Sequence, residues 1–78
     1  MTKRIQILGM GCKKCGLLAE TAENAAKALG LTYTIEKVTD PRAIAAFGVM
    51  RTPALVVDGT VRISGAVPSP EDARRLLS

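Results

Sequence analysis

The chain has 78 residues, 47% of them hydrophobic and 23% charged, with a net charge of +4, two cysteines and no histidine or tryptophan. That length admits one domain, residues 1–78, around one modest core, and the composition excludes a disordered or fibrous chain. No apolar run approaches the roughly 20 residues of a membrane-spanning helix, and positive charges scattered without stacking aromatics argue against a nucleic-acid surface.

Met1-Thr2-Lys3-Arg4 ahead of Ile5-Gln6-Ile7-Leu8 has the outline of a basic leader before an apolar core. The apolar part is too short, alternates, and is followed by two lysines, which argues against a secretory signal. It reads instead as a buried strand β1 over Lys3–Leu8, with Ile5 and Ile7 on one face, and the chain is expected to be cytoplasmic. Thiols in that compartment are mostly reduced, so Cys12 and Cys15 are expected to be reactive or metal-binding rather than structural. A bridge between them would close too small a loop to staple the fold.

Gly9, Met10 and Gly11 end β1. Over residues 13–29 the apolar positions Leu18, Ala22, Ala25 and Leu29 recur at steps of four, three and four, one stripe of a helix α1 whose other face carries Glu20, Glu23, Asn24 and Lys27. Glu23 and Lys27 form a favourable i,i+4 pair, and Gly30 stands where a left-handed cap belongs. Residues 31–36 alternate and are rich in β-formers, a strand β2 with Leu31, Tyr33 and Ile35 inward. Two strands joined by a helix lie parallel with a right-handed crossover.

Asp40-Pro41 is an N-cap followed by proline at the first helical position, so a short helix α2 should run over residues 41–47, with Ile44 and Phe47 inward and Gly48 ending it. Asp58-Gly59 between the apolar runs 54–57 and 60–64 is a strong hairpin signal, giving β3 and β4. Ser69-Pro70-Glu71-Asp72 opens a last helix α3 that buries Ala73, Leu76 and Leu77. The expected architecture is α/β, β1-α1-β2-α2-β3-β4-α3, with a four-stranded mixed sheet flanked by helices.

The stretch Gly9-Met10-Gly11-Cys12-Lys13-Lys14-Cys15-Gly16 puts Cys12 at the junction of β1 and α1, with Cys15 three residues on. That spacing brings both sulfurs near one face, and the N–H groups and dipole of a helix start stabilise a thiolate. Lys13 and Lys14 add positive charge and are expected to lower the Cys12 pKa moderately. Two thiolates also suit a soft ion such as Cu(I), so the local motif leaves redox exchange and metal binding both open. Zinc fits less well, because four ligands are needed and the chain offers two cysteines and no histidine. A Cys-x-x-Cys opening the helix of a βαβ unit is the redox context.

The string "IQILGMGCKKCGLLAETAENAAKALGL…IEKV…IAAFGVMRTPALVVDG" resembles the family of very small thioredoxin-like proteins, also described as small redox-active disulfide or glutaredoxin-like proteins, over essentially the whole chain. The resemblance implies the thioredoxin fold and a thiol–disulfide oxidoreductase that reduces disulfide-containing protein substrates. Cys12 is then the exposed attacking thiolate and Cys15 the buried resolving thiol. It further implies a cis Thr52-Pro53 peptide beside them, with the Thr52 backbone open to a substrate strand and Gly65 close by. Substrate contacts would come from Met10, Gly11, Thr52, Pro53 and Gly65. A thioredoxin-reductase-like donor would recycle a monomer that needs no cofactor and no metal and that binds neither nucleic acid nor membrane.

The chain departs from most thioredoxins in having Gly11 in place of a tryptophan before the first cysteine, and Lys13-Lys14 in place of Gly-Pro between the two. No buried acid stands out as a proton acceptor for Cys15. Arg51 reads as a solvated loop residue or as part of the site's rim. Gly9-Met10-Gly11-Cys12-x-x-Cys15 also resembles the loop of heavy-metal-associated domains, which implies Cu(I) binding or transfer as the alternative. That fold is βαββαβ. A capped helix after the hairpin, the helix at Asp40-Pro41 and the Thr-Pro ahead of Asp58-Gly59 favour the redox reading.

Overall fold

A computed structural model describes residues 2–10 and 13–77. The elements follow in the expected order: β1 (Lys3–Leu8), α1 (Lys13–Ala28), β2 (Tyr33–Val38), α2 (Pro41–Ala46), β3 (Ala54–Val57), β4 (Thr60–Ser64) and α3 (Pro70–Leu77). They build one four-stranded sheet in the order β2-β1-β3-β4, in which β1 and β2 are parallel and the other pairs antiparallel. This is the α/β, thioredoxin-like arrangement that the sequence implied. Among the described residues no helix is long and apolar enough to cross a membrane.

The two inner strands explain the apolar runs. Ala54-Leu55-Val56-Val57 is buried throughout, as a strand covered on both faces must be. Ile5, Ile7, Leu55 and Val57 pack against Leu18, Ala22, Ala25 and Ala26 of α1 and Ala73 and Leu77 of α3. Alternation turns Leu8, Ala54 and Val56 to the other face, where Ile44 of α2 meets them with Val38, Phe47 and Val49 at its margin. The small side chains of α1 leave room for α3 beside it.

Four boundaries differ from the sequence reading: α1 ends at Ala28, β2 is shifted by two residues at both ends, and α2 ends at Ala46, one residue before Phe47. Leu29 lies beyond α1 and is 38% exposed, because the helix ends in a Schellman turn: Gly30, at φ +67°, donates its N–H to Lys27 and Leu31 donates to Ala26. Leu31 packs on the core in its place, and β2 starts two residues later than the alternation suggests because the Leu31 N–H is already committed. Tyr33 then ties β2 to α1 by donating its hydroxyl to Glu23 Oε1 at 3.1 Å. Partial desolvation first, and then this bond and the Glu23 charge, raise the phenol pKa above its ordinary value of 10.0.

The hairpin is the type I′ turn that Asp-Gly favours, with φ of +50° at Asp58 and +82° at Gly59. Asp58 also locks the far end of β1: its Oδ1 accepts the Arg4 N–H at 2.9 Å and its own N–H donates to the Arg4 carbonyl at 2.8 Å. A bulge follows in β4, where the register passes from Leu55–Ile63 to Val56–Val61 and Arg62 is the extra residue.

Both later helices carry the caps expected of them. Ser69 Oγ accepts the Asp72 N–H at 3.2 Å, and Asp40 Oδ1 accepts the Arg42 N–H at 3.0 Å ahead of Pro41. Losing such a cap costs about 1 kcal/mol. Asp40→Ala should therefore lower the thermal midpoint by roughly 4–8 °C for a domain of this size; an unchanged melt in a calorimeter would show that the cap contributes nothing.

Candidate active site

Topology brings three separate segments to one end of the sheet. Leu8 pairs with Ala54, and Ala54 with Ser64, so Gly9, Pro53 and Gly65 lie just beyond the same edge. Gly9 is buried and its N–H donates to the Val38 carbonyl at 3.0 Å, which continues the β1–β2 ladder by one residue. Cys15, in the first turn of α1, is only 7% exposed.

Its sulfur rests against Gly9. A Cβ placed on Gly9 would overlap Cys15 Sγ outright and would sit 3.3 Å from Cys15 Cβ and 3.9 Å from Pro53 Cα. Glycine is required here for room between strand end, thiol and proline, a close approach that no other residue permits.

The Thr52-Pro53 peptide is cis, as the resemblance implied. Pro53 is fully buried, while Thr52 is exposed. Two hydrogen bonds brace this loop against β4: Gly65 N–H donates to the Pro53 carbonyl at 2.8 Å, and Ser64 Oγ donates to the Arg51 carbonyl at 3.0 Å. The Thr52 backbone lies beyond the Pro53–Gly65 bond. Gly65 has φ +79°, and a Cβ there would come within 3.0 Å of Arg51 Cβ and 3.2 Å of Arg51 Cδ. The aliphatic stem of Arg51 thus covers the side of Gly65 from which a side chain would project.

Of the remaining residues singled out in the sequence, Met10 is 68% exposed beside Gly9, and Lys13 and Lys14 are exposed in the first turn of α1. Gly11 and Cys12 lie outside the described residues, so the attacking role of Cys12 and its tuning by the two lysines rest on the sequence. Among the described residues no Asp or Glu is buried; the buried polar side chain is Gln6, on the same face of β1 as Leu8. Sequence reasoning took Gly9 only as the end of β1. Its contact with Cys15, six positions away across a turn, has no periodic signature. It also passed over Met50, 97% exposed two residues before Thr52, because an apolar residue in a loop gives no pattern.

Comparison with known proteins agrees with this geometry. The family model described as "Thioredoxin domain" matches residues 3–78. A protein named "Thioredoxin" from Methanothermobacter thermautotrophicus (strain Delta H) is 39% identical over 75 residues, which is 96% of this chain and 97% of that protein. With its fold, its Cys-x-x-Cys sequence whose Cys15 lies in the first turn of α1, and a match of this extent, the chain belongs to the thioredoxin family, a family of thiol–disulfide oxidoreductases.

Proposed function

We propose that the chain reduces disulfides in protein substrates through the Cys12/Cys15 dithiol. The observation that carries this reading is the seat of Cys15, a buried thiol in the first turn of α1 lodged against Gly9, which Pro53 also approaches. Such a thiol is sheltered from bulky disulfides and is reached through its partner three residues away. Cys12 thiolate attacks one sulfur of the target, a Cys12–target disulfide forms, and the other target sulfur leaves as a thiolate that takes a proton from water. Cys15 then gives up its proton to water and attacks Cys12 sulfur, and the second target sulfur leaves as a thiolate that is protonated in turn. Two electrons pass to the target, its two protons come by way of water, and Cys12–Cys15 is left oxidised.

A thioredoxin-reductase-like donor, itself a dithiol, returns the two electrons to the monomeric protein, and the cytoplasm is the compartment that keeps such thiols reduced. The exposed Thr52, with Met10, Gly11, Pro53 and Gly65, forms the surface against which a target strand lies. The test is a titration of the protein in glutathione or dithiothreitol redox buffers, read as the mass of thiols blocked by an alkylating agent. One two-electron transition, both cysteines changing together, is the expected result. No transition, together with tight binding of Cu(I) or Zn(II) at the two cysteines, would overturn the reading in favour of metal transfer.

A further inference from the structure

Cations outnumber acids around the site. Lys14 is the neighbour of Cys15, Lys13 lies two residues before it, and Arg51 lies two residues before Pro53. Each of their Cα atoms is therefore within about 7 Å of a residue that meets Gly9. All three are exposed, and none takes part in an ion pair among the described residues.

Most of the acids are spent elsewhere, although Glu20 stands exposed on α1 five residues after Cys15. Asp58 pairs with Lys3 at the hairpin end of the sheet, Glu36 with Arg4 on its surface, Glu23 with Lys27 in the second half of α1, and Glu71 and Asp72 with Arg75 within α3. Asp40 is the acid nearest the site along the chain, two residues after Val38, whose carbonyl accepts the Gly9 N–H, and one of its carboxylate oxygens accepts the Arg42 N–H in the α2 cap. Next to Gly9 and Arg51 along the chain, Met10 and Met50 offer exposed, adaptable thioethers to an apolar side chain.

Arg51 is held in place. Its stem lies along Gly65 and its carbonyl is bonded to Ser64, so its charge is carried on a braced segment rather than on a free loop. A fixed patch of one sign raises the encounter rate with the opposite sign by roughly 10–1,000-fold, and salt screens it.

From these placements we infer that Lys13, Lys14 and Arg51 form a cationic rim that selects targets whose disulfide lies in an acidic segment, with an apolar residue close to it. This inference rests on the proposed disulfide reduction. Its test uses two cyclic disulfide peptides, alike except that glutamates or lysines flank the cystine, with neutral hydroxyethyl disulfide as a third substrate. The readout is the ratio of the two peptides' second-order reduction rates. Both peptides meet the same thiol, so the ratio cancels any effect of the lysines on Cys12 ionisation.

The wild type should prefer the acidic peptide by roughly tenfold at low salt, and the preference should fall toward about twofold at high salt as screening shortens to a few ångströms. Arg51→Glu and the pair Lys13→Glu, Lys14→Glu should each cut the ratio about threefold or more. The salt dependence of the wild type tests the rim even if a variant folds poorly. A ratio near one at low salt, or a preference that neither salt nor substitution moves, overturns the rim while reduction of the neutral disulfide leaves the redox reading standing. If none of the three substrates is reduced, the redox reading falls and the rim with it.

Discussion

Gly9→Ala is expected to slow the second step of exchange by one to two orders of magnitude, leaving the first step nearly untouched. The added methyl overlaps Cys15 Sγ and touches its Cβ, and both neighbours are fixed: Gly9 by its bond to Val38, Cys15 by the helix. The sulfur is the part that can turn away, and a displacement of about 1 Å in a reacting atom can cost about a hundredfold in rate. Mixed disulfide with the target should therefore accumulate in Gly9→Ala and be visible by mass, while alkylation of Cys12 proceeds at the wild-type rate. Overpacking of this kind also destabilises, by about 1–3 kcal/mol.

A double-mutant cycle separates the thiol contact from a general strain on β1. In a Cys15→Ala background the sulfur is gone, so Gly9→Ala should cost at least about 1 kcal/mol less there than in the wild type, well above the few tenths by which independent sites depart from additivity. Equal costs in the two backgrounds would assign the glycine to the strand and remove it from the site.

How much of this was legible beforehand follows from how local each signal is. The elements were readable because their signals sit within a few residues: Asp40-Pro41 and Ser69-Pro70 at helix starts, Asp58-Gly59 in the turn, the four-residue apolar run of β3. The left-handed cap expected at Gly30 is present, and the shifts at Leu29 and Leu31 come from its Schellman bonds to Lys27 and Ala26, which close the helix one residue before the last position of the hydrophobic period and engage the Leu31 N–H. The cis Thr52-Pro53 bond came from family resemblance and not from the residues themselves, since most X-Pro bonds are trans. The site's steric centre was not legible at all. Gly9, Cys15 and Pro53 meet only because an antiparallel pairing sets Leu8 opposite Ala54, and no window of sequence contains that register.

Under the proposed division of roles between Cys12 and the buried Cys15, the serine variants of the two cysteines should differ in kind. Cys15 is 7% exposed and walled by Gly9, so a protein disulfide cannot reach it first. Cys12→Ser should thus abolish reduction of protein disulfides altogether, with a loss of at least three orders of magnitude and no covalent adduct. Cys15→Ser should lose turnover as completely yet leave attack intact, so that Cys12 stays linked to its target. The linked species should be seen on a non-reducing gel, since without the Cys15 thiolate no group of high effective concentration resolves it, and an excess of dithiothreitol should release it by direct exchange. The hydroxyl of serine is nearly the size of the thiol, so the seat against Gly9 is kept and misfolding does not account for the difference. Adducts formed through Cys15 in the Cys12→Ser variant at rates like those of Cys15→Ser would reverse the assignment of attacking and resolving thiols, and would require the segment Gly9-Met10 to open before Cys15 could be reached.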